Sequence, residues 1–226
     1  MTGKLGGYTV ETVLHLAAKA YREGEASFEV DLTRAALLII DMQDEFVRPH
    51  FCAFWVPEAT AMVDRLAQVL TAARRAGRPI IHTAFAATHR FLDRPQSGSA
   101  MPNRYPGEPV EGLFTEPQIV AKLAPVPGEV HLLKPSYGAF YDTPLDTILC
   151  NLNCDTVIIT GTLTNLCCST TARQAYERGY KVVFGDDVTA TNDPALHAAE
   201  LQTLRYGFAR IMSAAEIIEQ LEEIHR

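Results

Sequence analysis

The sequence predicts an α/β protein, a three-layer doubly wound fold whose mostly parallel six-stranded sheet carries helices on both faces. Three observations point there. Short apolar runs recur at Ala35–Ile40, Pro79–Thr83, Val130–Leu133, Thr156–Thr160, Lys181–Phe184 and Ala209–Met212. Segments of helical period lie between most of them, and such alternation builds parallel sheets flanked by helices. The first run is apolar at every position, as in a strand covered on both faces.

Each element has its own signal. Val10, Val13, Leu14, Leu16, Ala17, Ala18 and Tyr21 recur at helical spacing, with Gly24 as a stop. This reads as an amphipathic arm over residues 1–30, ahead of one domain over 31–226, and its apolar stripe needs a cover from the same domain or from another subunit. The next helix spans Ala59–Ala76, with Met62, Val63, Leu66, Val69, Leu70 and Ala73 on one face and Gly77 just past its end. Helices are then expected at Leu145–Leu152, at Cys167–Arg178 before Gly179, at Pro194–Tyr206 and at Ala214–Ile224. The Pro- and Gly-rich stretch 87–118 has no period, and a stretch of that length usually serves function, here as a lid or a subunit contact.

Composition bounds the function. The 226 residues fit one domain, and 47% hydrophobic content excludes a disordered chain. Twenty basic against 27 acidic residues leave a net charge of −7. Without a Lys/Arg run, that argues against nucleic acid or an anionic membrane as partner. No apolar run approaches the ~20 residues of a membrane span, and no secretory segment follows Met1. The five cysteines are odd in number, so free thiols in a reducing, cytoplasmic setting are expected.

In open α/β sheets ligands bind beyond the carboxyl ends of the strands. The first strand runs into Asp41, the third into Lys134, and the fourth into Gly161–Leu166 followed by Cys167 at a helix start. Each has a plain reading: Asp41 as a cap, Lys134 as a solvated lysine, Cys167 as a small core residue. Together an acid, a base and a thiol on one rim form a constellation for nucleophilic catalysis. The start of a helix also favours a thiolate, and its N–H groups suit an oxyanion.

Four segments resemble the isochorismatase-like cysteine hydrolases, a family that includes nicotinamidases and N-carbamoylsarcosine, ureidoacrylate and biuret hydrolases. They are 37–46 around Asp41, 134–143 from Lys134, 160–167 ending in Cys167, and 169–179. The resemblance implies strand order 3-2-1-4-5-6 and an Asp41–Lys134–Cys167 triad. It also implies a cis peptide between Thr162 and Leu163 that aims the N–H groups of Leu163 and Cys167 at the substrate oxygen. Members are commonly dimers or tetramers. The metal motif that nicotinamidases carry after the second strand is replaced here by Thr83–Ala87; His82 and His89 flank it, and no metal or other cofactor is expected. Cys168 stands where Val commonly follows the nucleophile.

The expected reaction is hydrolysis of a small amide or carbamoyl compound through a Cys167 thioester, releasing ammonia or an amine. Asp41 moves the protons and Lys134 lies between the two charges. By position, Phe46, Phe85, Trp55, Tyr141 and Leu166 are expected to wall the substrate pocket, with Phe140 behind them or in the core. Arg90, Arg94 or Arg104 is placed to meet a substrate carboxylate. The rival readings are an isochorismatase-type vinyl-ether hydrolase, which needs no thiol, a thiol-redox protein using Cys167 with Cys168 or Cys52, and a non-catalytic scaffold.

Overall fold

Why β1 (Ala35–Ile40) forms the centre of the molecule follows from its side chains, all of them inaccessible to solvent. Leu37 and Ile39 point to one layer and Ala36, Leu38 and Ile40 to the other. Each fully buried Leu or Ile stabilises by about 1.5–3 kcal/mol, so the strand has no face to spare for solvent. The structure, a computed structural model, describes residues 7–95 and 112–224.

Around β1 lie β2 (Ile80–Phe85), β3 (Val130–Lys134), β4 (Thr156–Thr162), β5 (Lys181–Ala190) and β6 (Arg210–Met212). Their order is β3-β2-β1-β4-β5-β6, and every paired neighbour is parallel. The expected fold class and strand order hold. On the first layer Met62, Leu66 and Val69 of α3 (Pro57–Arg75) meet Ile217 and Leu221 of α7 (Ala214–Glu223). The second layer has Leu145 and Leu149 of α4 (Leu145–Asn151), Ala172 and Ala175 of α5 (Ser169–Glu177) and Leu204 of α6 (Pro194–Gly207). The chain winds from β1 toward β3, then returns beside β1 as β4, which makes the crevice between β1 and β4 the switch point.

Several boundaries differ from the sequence reading, each for a local reason. The fifth strand continues past Phe184 to Ala190, where Gly185, Asp186 and Asp187 interrupt the apolar run and the register against β4 shifts between Ile159 and Gly161. The third helix begins two residues early because Pro57 starts it. A short helix, Asp44–Val47, had no periodic signal. The helix expected from Cys167 begins as a π turn, Thr164–Cys168, and becomes regular only at Ser169. The N-terminal helix, α1 (Val10–Glu23), is capped by Thr9 and stopped at Gly24, but none of its residues is buried. Tyr21 rests against Tyr206 of α6 at 4.6 Å between rings, while Val10, Val13 and Leu14 stay exposed. No described helix is long and apolar enough to cross a membrane.

Candidate active site

Asp41 follows the last residue of β1, with φ at +52°, a left-handed conformation that aspartate tolerates better than most residues. Its N–H donates to the Thr83 carbonyl (3.1 Å) and its Oδ1 accepts from the Thr83 hydroxyl (2.7 Å). Oδ2 lies 2.7 Å from Lys134 Nζ, with both side chains wholly buried. Asp41 is therefore an ion-pair partner rather than a cap, and Lys134 is a core residue rather than a solvated one.

Lys134 ends β3, two strands away from β1, and neighbouring strands stand about 4.8 Å apart. Only a long side chain spans that gap. Its ammonium also donates to the Ser136 carbonyl (2.9 Å) and lies 5.5 Å from the centre of the Phe85 ring. Burial alone would push its pKa down; its interactions with Asp41 and Cys167, Asp41 foremost, outweigh burial and push it up.

The third member arrives through β4. Gly161 pairs with Ile40 at φ +113°, and a Cβ there would sit 2.0 Å from the Ile40 carbonyl, so only glycine lets β4 pass this close to β1. The Thr162–Leu163 peptide is cis. The Leu163 carbonyl then accepts from the N–H groups of Leu166 and Cys168, both at 3.1 Å, passing over the N–H of Cys167 between them. The Cys167 thiol reaches hydrogen-bonding range of both Asp41 and Lys134.

Burial raises the pKa of that thiol to about 12, with Asp41 adding to the rise and Lys134 opposing it. This corrects the expectation of a resting thiolate: the π turn places Cys167 inside the layer, where loss of solvation outweighs the nearby cation. Burial thus favours the thiol form of Cys167, with Asp41 and Lys134 next to it. Cys168, also buried, points its sulfur toward the Thr160 carbonyl (3.9 Å) and has its pKa pushed well up by the same burial. All five cysteines are free.

The turn itself is braced from outside. Thr164 Oγ1 is 2.9 Å from His197 Nδ1, and His197 Nε2 is 3.0 Å from the Asp186 carbonyl. A carbonyl can only accept, so Nε2 donates to it, and in the tautomer with its proton on Nε2 the Nδ1 atom accepts from the Thr164 hydroxyl. Thr191 donates to the Asn165 side chain at 2.8 Å.

The residues expected to wall the pocket separate into groups. Phe85 is buried beside Lys134. Phe46 is also buried, packed on Phe114 at 5.6 Å, and Phe114 contacts Phe54 and Phe85 as well. Leu166 is half-buried in the turn, and Tyr141 lies at the surface. Trp55 lies at a tilt against His50 and donates to Thr60 (2.8 Å), and Phe140 packs against Tyr180. Of the three arginines, Arg90 is exposed, Arg94 is buried, and Arg104 lies outside the described residues, as does 96–111 of the irregular stretch. His82 is engaged by Glu129 at 3.0 Å, His89 is exposed, and no group of three or more metal-binding side chains gathers among the described residues.

Sequence reasoning missed Thr83, Gln43, Ser136 and His197. Thr83 had a usable signal, since it ends the expected second strand at the level of Asp41. Gln43, two residues after Asp41, donates to the Phe85 carbonyl and accepts its N–H, which extends the β1–β2 pairing past the strand ends. His197 reaches the site from a separate helix and leaves no local pattern.

A doubly wound α/β protein with a buried Asp–Lys pair and a thiol at its switch point defines the class. Residues 35–216 match the isochorismatase domain model, and the chain belongs to the isochorismatase family. It is 31% identical over 189 residues to nicotinamidase 3 of Arabidopsis thaliana, covering 83% of this chain and 88% of that protein. It is 27% identical to a ureidoacrylate amidohydrolase, RutB, of Methylorubrum extorquens, covering 88% of each. Among solved structures, a cysteine hydrolase from Pseudomonas syringae pv. phaseolicola superposes with a TM-score of 0.79 at 28% identity, covering 89% of this chain and 99% of that one.

Proposed function

We propose that the protein is a cysteine amidohydrolase that cleaves a C–N bond of a small amide or carbamoyl compound through a thioester. One observation carries the reading: the Cys167 thiol contacts both members of a wholly buried Asp41–Lys134 pair. The names of its relatives, a nicotinamidase and an amidohydrolase, are names for amide hydrolysis.

Cys167 Sγ attacks the carbonyl carbon as its proton passes to Asp41, which Thr83 and Lys134 hold in place. The N–H groups of Leu163 and Cys167 receive the oxyanion. As the tetrahedral intermediate collapses the C–N bond breaks, and Asp41 returns the proton to the departing ammonia or amine. Asp41 then takes a proton from water, whose oxygen attacks the thioester carbon; the C–S bond breaks, and Asp41 returns that proton to Sγ, freeing the acid and restoring the thiol. Lys134 stays protonated throughout and offsets the negative charge that moves between carboxylate and sulfur. Phe85 and Leu166 form the wall nearest the reacting carbon, with Phe46 behind Phe85 and with Tyr141 and Trp55 farther out. The exposed stripe of α1 supports the reading of residues 1–30 as an arm that contacts another copy in a dimer or tetramer.

Ammonia release across a panel of small amides and carbamoyl compounds tests the function. Turnover that disappears in Cys167→Ala, with an acyl adduct on Cys167 in acid-quenched wild-type protein, is expected. Turnover that survives Cys167→Ala overturns the thioester route.

A further inference from the structure

We infer that Thr171 is a positioning residue for the reacting thiol: its hydroxyl ties the backbone of Cys167 to the loop that seats the Lys134 ammonium. The inference rests on the amidohydrolase reading of Cys167 and adds a residue outside the triad. Thr171 lies in the first turn of α5 and is inaccessible to solvent. Its Oγ1 is 2.7 Å from the Cys167 carbonyl oxygen and 3.0 Å from the Ala139 backbone nitrogen. A carbonyl can only accept and a backbone N–H can only donate, so both directions are fixed. The hydroxyl gives its one proton to Cys167 and accepts from Ala139.

A helical threonine often donates to the carbonyl four residues before it. The bond from Ala139 is different, because it crosses to the segment after β3, 32 residues away in the chain. Ala139 and Cys167 are both buried, so water is a poor substitute for the hydroxyl. Shortly before Ala139, the Ser136 carbonyl accepts from the Lys134 ammonium at 2.9 Å. One hydroxyl therefore joins the peptide of Cys167 to the loop that receives the lysine. The sheet alone does not set this distance. β1 and β3 carry Asp41 and Lys134, whereas Cys167 leaves β4 through the π turn. His197 braces that turn at Thr164, and Thr171 holds its other end, at the reacting residue. Gln174 offers an internal comparison. Farther along α5, its Oε1 accepts from the Phe140 N–H at 3.2 Å, and Gly138 leaves room for that oxygen where a Cβ would clash. Gln174 thus anchors the same loop, but among the described residues it has no hydrogen bond to Cys167.

The test uses the full-length protein and two readouts. One is kcat and KM on an amide that the panel shows to be turned over. The other is the rate at which iodoacetamide alkylates Cys167 near neutral pH, read by peptide mass. Thr171→Val keeps the shape of the side chain and removes the hydroxyl. It is expected to lower kcat by about tenfold with KM nearly unchanged, and to slow alkylation of Cys167 by a similar factor. Thr171→Ser keeps the hydroxyl and should stay within about threefold of wild type in both readouts, as should Gln174→Met. Unchanged kcat in Thr171→Val overturns the proposal. An equal loss in Thr171→Ser also overturns it and assigns Thr171 to packing. An equal loss in Gln174→Met overturns it as well and assigns the effect to anchoring of the loop. A loss of about tenfold in Thr171→Ser decides against the proposal even if Thr171→Val does not fold. If no amide is turned over, the amidohydrolase reading fails by itself, and the alkylation rates still decide whether Thr171 positions the thiol.

Discussion

Two charge clusters, one half-buried and one wholly buried, tie β2 and β3 to their surroundings, one toward each end of the sheet, and they are built differently. Toward the amino-terminal end of β3, Glu129 accepts from Arg74 Nε (2.7 Å) and Nη2 (3.0 Å), from the Val126 N–H (3.0 Å) and faces His82 Nε2 (3.0 Å). Burial works against ionising Glu129, but these partners outweigh it and hold its pKa at about 2. At the carboxyl ends, Asp41 has Thr83 and Lys134 for partners, and an ionisable thiol shares the lysine. Donors saturate Glu129 and leave it nothing to do but hold α3, β2 and β3 together. Asp41 has a neighbour with a proton to give. On the proposed reading, that difference in the last partner is what separates a catalytic cluster from a structural one.

Breaking the second cluster should have the largest effect on rate. Cys167→Ala is expected to lower amide turnover by at least about a thousandfold. Its thermal midpoint should move by only a few degrees. Parallel turnover and melting measurements check both halves of that statement.

Asp41→Asn and Lys134→Met should each cut turnover by about a hundredfold or more, through loss of the proton carrier or of the cation beside it. Both also leave one buried charge without its partner, at a cost of about 3–5 kcal/mol. Because Lys134 is wholly buried against Asp41, Lys134→Met also costs stability. Denaturant melts of the single variants and of the Asp41→Asn/Lys134→Met double variant measure the coupling; a double variant more stable than either single one is expected.

The first cluster should show the opposite profile. Glu129→Gln is expected to cost about 3 kcal/mol of stability at neutral pH with turnover unchanged. In wild type the Glu129 pKa is depressed from 4.5 to about 2. Its stabilisation is therefore complete above about pH 4.5 and is lost as pH falls toward 2. Melts across that window should show the loss in wild type and a shallower one in Glu129→Gln.

The smallest effect is expected from the brace on the turn that carries Cys167. His197→Ala frees Thr164 and is expected to reduce kcat by about tenfold with KM nearly unchanged. His197→Asn, whose amide oxygen can take the place of Nδ1, should recover part of the loss. Equal losses in both variants would assign the histidine to packing.

Much of this was legible in the sequence because the strands at the switch point are short and strongly apolar. Ala35–Ile40 and Thr156–Thr160 announce themselves, and the reactive residues stand at their ends. The second half of β5 was hidden by Gly185-Asp186-Asp187, which breaks the apolar run without ending the strand. The position of Cys167 was legible and its protonation was not, because a helix start predicts a low pKa and only the packing of the π turn shows the thiol to be buried. Arg94 could not be told from Arg90, since burial in an irregular segment depends on contacts far away in the chain. His197 is the extreme case, reaching the site from α6.

The central claim is that Asp41 activates one thiol out of two adjacent buried ones. Wild-type protein and Asp41→Asn should be treated with iodoacetamide from pH 6 to 10, mapping Cys167 and Cys168 separately by peptide mass and following turnover alongside. The account predicts that Cys167 reacts well ahead of Cys168 near neutral pH, that turnover is lost in step with it, and that Asp41→Asn removes the lead. Equal labelling of Cys167 and Cys168 in the wild type, or an undiminished lead in Asp41→Asn, would contradict it.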